Sequence, residues 1–89
     1  MPSRDFWKLF RQLPVDIRRS TRASYALFRL NPAHPGLKLE RLRAHPSLWS
    51  VRVSQCYRAV AFRTIKDSTP HYEWIWVGTH AQFNQKFPY

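Results

Sequence analysis

WSVRVSQCYRAVAF, residues 49–62, reads as two strands joined by a tight turn. Trp49, Val51 and Val53 alternate with Ser50, Arg52 and Ser54. Tyr57, Ala59 and Ala61 then alternate with Arg58, Val60 and Phe62. A period of two is that of a strand with one face buried. The gap from Ser54 to Tyr57 is hairpin length. Each strand also carries an internal arginine, Arg52 and Arg58. A guanidinium in mid-strand of a small domain needs a wet sheet face, and its planar donor fork suits phosphate. A phosphate-facing sheet is the expectation that follows.

Upstream of this hairpin the period is helical. Phe6, Leu9, Phe10 and Leu13 share one stripe, and Ser3 is positioned as an N-cap. Pro14 opens a second segment, with Asp16 in its first turn. In that segment Ile17, Thr21, Ser24 and Phe28 form a stripe with a small middle, where another element can approach closely. Arg18, Arg19, Arg22 and Arg29 lie on other sides. Asn31-Pro32 ends the helix near Leu30, and NPAHPG, residues 31–36, is a loop. Leu37 and Leu39 then alternate with Lys38 and Glu40, as in a strand.

Downstream, residues 66–70 read as a second turn and HYEWIWVG, residues 71–78, as a strand in which Trp74 and Trp76 share one parity. Residues 79–87 read as a short closing helix. The whole is one α+β domain, residues 1–89. Two N-terminal helices cover one face of a sheet of three or four antiparallel strands. The other face is expected to be open, with Arg52 on it.

Composition narrows the function. The chain has 89 residues, 15 Lys or Arg against five Asp or Glu, a formal charge of +10 and 16% aromatic residues. The aromatic content is that of a folded chain, and the charge calls for a polyanionic partner. No polybasic block and no long apolar run points to a membrane. One cysteine, Cys56, suits a reducing cytoplasm, and the first residues lack the pattern of a secretory signal. The four His and single Cys are not spaced as metal ligands, so neither a metal nor a cofactor is expected.

Metal-free RNA cleavage needs a base for a 2′-hydroxyl, cations for the pentacoordinate phosphorus and an acid for the departing 5′-oxygen. His80 follows Gly78-Thr79 at the end of the last strand. If Thr79 caps the closing helix, His80 sits in its first turn, where the positive helix end favours a neutral imidazole. Its role as base or acid stays open. Arg52 and Arg58 would supply the electrostatic part. His34 and His45 fall in proline-bearing loops and His71 flanks a strand, positions better suited to structure or solvent.

NPAHPGL after a helix, then WSVRV, YRAVAF and WVGTHAQF, resembles the RelE/ParE superfamily of bacterial toxin–antitoxin toxins over about residues 6–84. The resemblance implies a compact toxin held inactive by an acidic antitoxin. RelE-like members cut messenger RNA in the ribosomal A site, whereas ParE-like members poison DNA gyrase. By pattern, Arg52, Arg58 and His80 fall on the catalytic positions. Ser50 stands where the prototype has a lysine, and Phe83 or Phe87 near a tyrosine. Ser50, Phe83 and Lys86 are the expected substrate contacts. The chain departs from the superfamily in one further respect: the strand that usually precedes the helices is short or absent here, because Phe6 already reads as helical. Three readings follow: a ribosome-dependent endoribonuclease acting on mRNA in the cytoplasm, a non-enzymatic gyrase poison, or a nucleic-acid-binding module without activity.

Overall fold

The structure, a computed structural model, describes residues 2–87. Helix α1 spans Arg4–Arg11 and α2 spans Val15–Leu30. A single 3-10 turn, Pro35–Leu37, leads to strands β1 (Glu40–Arg41), β2 (Leu48–Arg52), β3 (Tyr57–Lys66) and β4 (Thr69–Thr79), and α3 (His80–Lys86) closes the chain. The four strands form one antiparallel sheet in the order β1-β2-β3-β4.

The helix ends follow local chemistry. The Ser3 hydroxyl accepts the Phe6 N–H at 3.1 Å, as its N-cap position demands. Among the described residues no strand precedes α1. What remains of that element is one rung: the Ser3 N–H donates to the Trp74 carbonyl at 2.8 Å, pinning the start of α1 to the outer edge of β4. Pro14 caps α2 and Asn31 ends it.

The expected strand around Leu37 and Leu39 shrinks to two residues. His34 Nδ1 accepts the Gly36 N–H at 3.0 Å, which winds Pro35–Leu37 into the 3-10 turn and buries Leu37. Lys38 follows in the left-handed region at φ 46°. The second turn is tighter than expected. Asp67 and Ser68 both have positive φ, so a two-residue loop joins strands that run out to Lys66 and Thr69.

The main core lies between the helices and the sheet. Phe6, Phe10, Leu13 and Phe28 meet Val51, Val53, Ala59, Ala61, Trp74 and Val77. The small middle of the α2 stripe works as read: Thr21 is buried, and the Ser24 hydroxyl reaches the Val53 carbonyl at 3.4 Å.

Two expectations are corrected. The second sheet face is not open along its length, because α3 folds onto it and packs Phe83 and Phe87 against Leu42, Val60 and Trp76. Trp74 and Trp76 do not share a face either. Val60 pairs with Trp76 but Ala61 pairs with Trp74, so Ile75 is an extra residue in β4. A bulge of this kind reverses the parity beyond it. Trp74 therefore fills the main core, edge-to-face with Phe6, Tyr25 and Phe28, while Trp76 anchors the second cluster.

Candidate functional site

Arg52 and Arg58 are direct partners across β2 and β3. Directly opposed residues share a sheet face, and that face is the one carrying Val60 and Trp76. Like charges so placed destabilise a sheet unless an anion lies between or beside them. Among the described residues the side chain that Arg58 contacts is no carboxylate. Its Nε–H donates to His80 Nδ1 at 3.4 Å. With Nδ1 accepting, a neutral His80 ring carries its hydrogen on Nε2.

His80 is held from three sides. The Thr79 hydroxyl accepts the Gln82 N–H at 3.1 Å, and Gln82 Oε1 accepts the Thr79 N–H at 2.9 Å, closing a capping box. This makes His80 the first residue of α3, as the sequence predicted. Its own N–H donates to the Cys56 carbonyl at 2.7 Å, which ties the start of α3 to the β2–β3 turn. The ring stays solvent-exposed, and Arg52 and Arg58 are half-buried.

Gly78 faces Arg58 across the β3–β4 pairing. A Cβ there would lie 2.7 Å from two ring atoms of Trp76 and 2.7 Å from Gln82 Oε1. The glycine is therefore required by close approach. Its absent side chain lets Trp76 and the capping Gln82 converge beside the Arg58–His80 pair.

The structure thus brings Arg52, Arg58 and His80 into one neighbourhood. Of the three expected substrate contacts, Phe83 and Ser50 come beside this group but are buried, and Lys86 lies further along α3. Phe83 is 2% exposed and belongs to the second core, so it presents no face on which a base can stack. Ser50 is 5% exposed, and its hydroxyl donates to the Glu40 carbonyl at 3.5 Å. Pairing with β1 and cover from the second core remove it from solvent. Lys86 is exposed but lies six residues beyond His80, about 9 Å along a helix at ~1.5 Å per residue. It lines a cavity of about 350 Å³ with Leu9, Gln82 and Gln85 on the α1 side. His34, His45 and His71 stay apart from the cluster; His34 caps the 3-10 turn, as a structural reading expects. Two supports were missed in the sequence. Gln82 was legible, because Thr79-x-x-Gln82 is a capping-box pattern; the Cys56 carbonyl was not, because a backbone contact leaves no side-chain signal.

No protein-family model and no curated protein matches the chain. Solved structures do. A chain of the RelB–RelE antitoxin–toxin complex from Methanococcus jannaschii superposes with a TM-score of 0.72 over 99% of each chain, at 13% identity. The chain has the RelE/ParE toxin fold. The YoeB/ParE toxin from Agrobacterium tumefaciens matches 90% of this chain and 99% of its own, with a TM-score of 0.68 and 17% identity. At such identities the likeness is one of backbone architecture. Among the described residues, no helix of this RelE/ParE-like chain is long and apolar enough to cross a membrane, and no group of three or more His, Cys, Asp or Glu comes together as a metal site.

Proposed function

We propose that this protein is the toxin of a toxin–antitoxin pair, a cytoplasmic endoribonuclease that cuts ribosome-bound mRNA and is neutralised by an acidic antitoxin. One observation carries the reading: two opposed guanidinium groups and an imidazole 3.4 Å from one of them, held on one sheet face and reached by solvent. Such a pair of arginines is strained by mutual repulsion until a phosphate neutralises it. The fold shared with a chain of an antitoxin–toxin complex, and with a toxin, supports the same reading.

In this mechanism the RNA backbone binds across Arg52 and Arg58. The 2′-hydroxyl loses its proton, its oxygen attacks the adjacent phosphorus, and the bond from phosphorus to the 5′-oxygen breaks. The products are a 2′,3′-cyclic phosphate and a 5′-hydroxyl. The arginines hold the charge that develops on the phosphoryl oxygens. The proton from the 2′-oxygen passes to His80 or to water, and the departing 5′-oxygen takes one in return from His80 or from water. With Arg58 on Nδ1, His80 offers Nε2–H to a phosphoryl or leaving oxygen; with Arg58 drawn to the phosphate, Nδ1 is free to accept a proton.

The test is incubation of purified protein with translating ribosomes, mapping of message ends, and Arg58→Ala as control. Cleavage leaving cyclic-phosphate ends is expected, lost in the variant. Intact message overturns the nuclease reading. One observation favours a non-enzymatic gyrase poison instead: the burial of Ser50 and Phe83 leaves only three groups for the chemistry. Gyrase-linked DNA breaks that persist in His80→Ala select that alternative.

A further inference from the structure

Three cavities follow one another along the outer edge of β4, an edge that no strand covers among the described residues. They border Ile75 and Trp76, then Trp76 and Val77, then Val77, Gly78 and Thr79. Helix α1 walls this groove on one side and α3 on the other. Leu9 lines all three cavities, because it packs against both cores where they meet around the edge of β4. The last cavity, of about 180 Å³, lies where the strand leads into His80, and Gln12, Pro14, Tyr57 and Gln82 frame it.

Its chemistry differs from that of the surrounding surface. No Lys, Arg, Asp or Glu lines it, in a chain of charge +10. It is lined instead by a half-buried phenol ring and two exposed carboxamides. Gln82 Oε1 already accepts the Thr79 N–H at 2.9 Å, which leaves its NH₂ group as a donor. Gln12 caps α1 through its backbone N–H, given to the Leu9 carbonyl at 3.1 Å, so the helix does not need its carboxamide. A phosphate finds no cation in such a cavity. A nucleobase finds an aromatic ring to stack on and an amide that gives and takes one hydrogen bond each. Adenine suits that amide best, because its N6–H donor stands between two ring acceptors, N1 and N7, and can pair on either edge. Guanine shows two acceptors on one of those edges, and the pyrimidines have a smaller face to stack. Cations return further along the groove. Lys8 and Lys86 line the cavity beside Trp76, outnumbering Asp5 there, about 10 Å from Thr79 at ~3.3 Å per strand residue.

We infer that the cavity between Gln12 and Tyr57 is a nucleobase site that takes adenine from the nucleotide beside the phosphate held at Arg58 and His80. Gln12 and Tyr57 are then specificity-determining residues. The inference rests on the nuclease reading for the path of the strand, whereas the base site itself is read by binding.

The test uses 2′-deoxy pentanucleotides, which cannot be cut by 2′-hydroxyl attack. Each carries A, C, G or U at the centre of four uracils, and its affinity for the full chain is measured by fluorescence anisotropy. Adenine at the centre should bind about tenfold more tightly than any other base, the scale of one two-point base contact. Gln12→Ala, at the exposed end of α1, should bring the four affinities together. Arg58→Ala should weaken all four by a common factor and keep their order. Equal affinities in the parent, preference for another base, preference undiminished in Gln12→Ala, or no binding at all each overturn the inference. Intact message in the ribosome assay beside a preserved adenine preference here would overturn the nuclease reading alone.

Discussion

Gly78 shows how much one absent atom positions. A methyl group there collides with the Trp76 ring and with Gln82 Oε1, both at 2.7 Å. Gly78→Ala should therefore lower stability by about 1–3 kcal/mol, the usual cost of overpacking. A denaturant titration measures it through the shift in midpoint. Arg58 and His80 belong to the same scale. Removing one preorganised donor to a developing oxyanion slows a reaction by about 10²–10³-fold. Arg58→Ala should lose about that much cleavage rate while its circular dichroism is unchanged. His80 separates two roles. His80→Gln keeps an N–H donor but cannot carry a proton. If proton transfer is its task, Gln and Ala variants are equally slow in single-turnover cleavage; if hydrogen bonding alone matters, Gln retains most of the rate.

At the scale of elements, Ile75 and α3 decide the shape of the site. The extra residue in β4 sends Trp74 and Trp76 to opposite faces, and Trp76 is what α3 packs on. Deleting Ile75 removes the unpaired residue, restores a regular ladder and leaves Trp76 opposite Val60 and Trp74 opposite Ala61, each on its present face. A thermal melt of the deletion variant should stay cooperative, with both tryptophans still buried; loss of cooperativity would mean that the bulge's local twist is required for packing. Helix α3 is short, and Phe83 and Phe87 hold it down. Phe83→Ala costs about 3–5 kcal/mol, a large part of the ~5–15 kcal/mol total for a domain. Its effect should be local, because the main core does not include Phe83. Amide exchange should become fast in α3 and stay slow in the centre of β3, and His80 should lose its fixed position.

Across the whole molecule, charge governs. Fifteen basic residues and five acidic ones surround a small core. Seven of the basic residues lie on α1 and α2, while Arg52 and Arg58 lie opposite each other on the second sheet face. Affinity for single-stranded RNA should fall linearly in a plot of log K against log salt, with a slope of about −0.7 per phosphate contacted. Arg52→Gln and Arg58→Gln should each flatten that slope by about 0.7, while Arg19→Gln on α2 leaves it unchanged. Equal effects from all three would mean that RNA binds without regard to the proposed site.

The sequence by itself determined the element order, the α+β class and the Arg52–Arg58–His80 grouping. Those depend on local periods, caps and turns, which are written into neighbouring residues: Ser3 before Phe6, Asn31-Pro32 after Leu30, Thr79 ahead of His80. It also carried the resemblance that the backbone comparison supports. Only the tertiary structure decided which face each side chain takes. Ser50 and Phe83 read as accessible because alternation and helix position say nothing about what packs above them; β1 and the second core bury both. Trp76 read as a companion of Trp74 because a bulge inserts one residue without leaving a mark in composition. The cavity beside Thr79 likewise arises where α1, β4 and α3 meet, a property of their packing and of no one element.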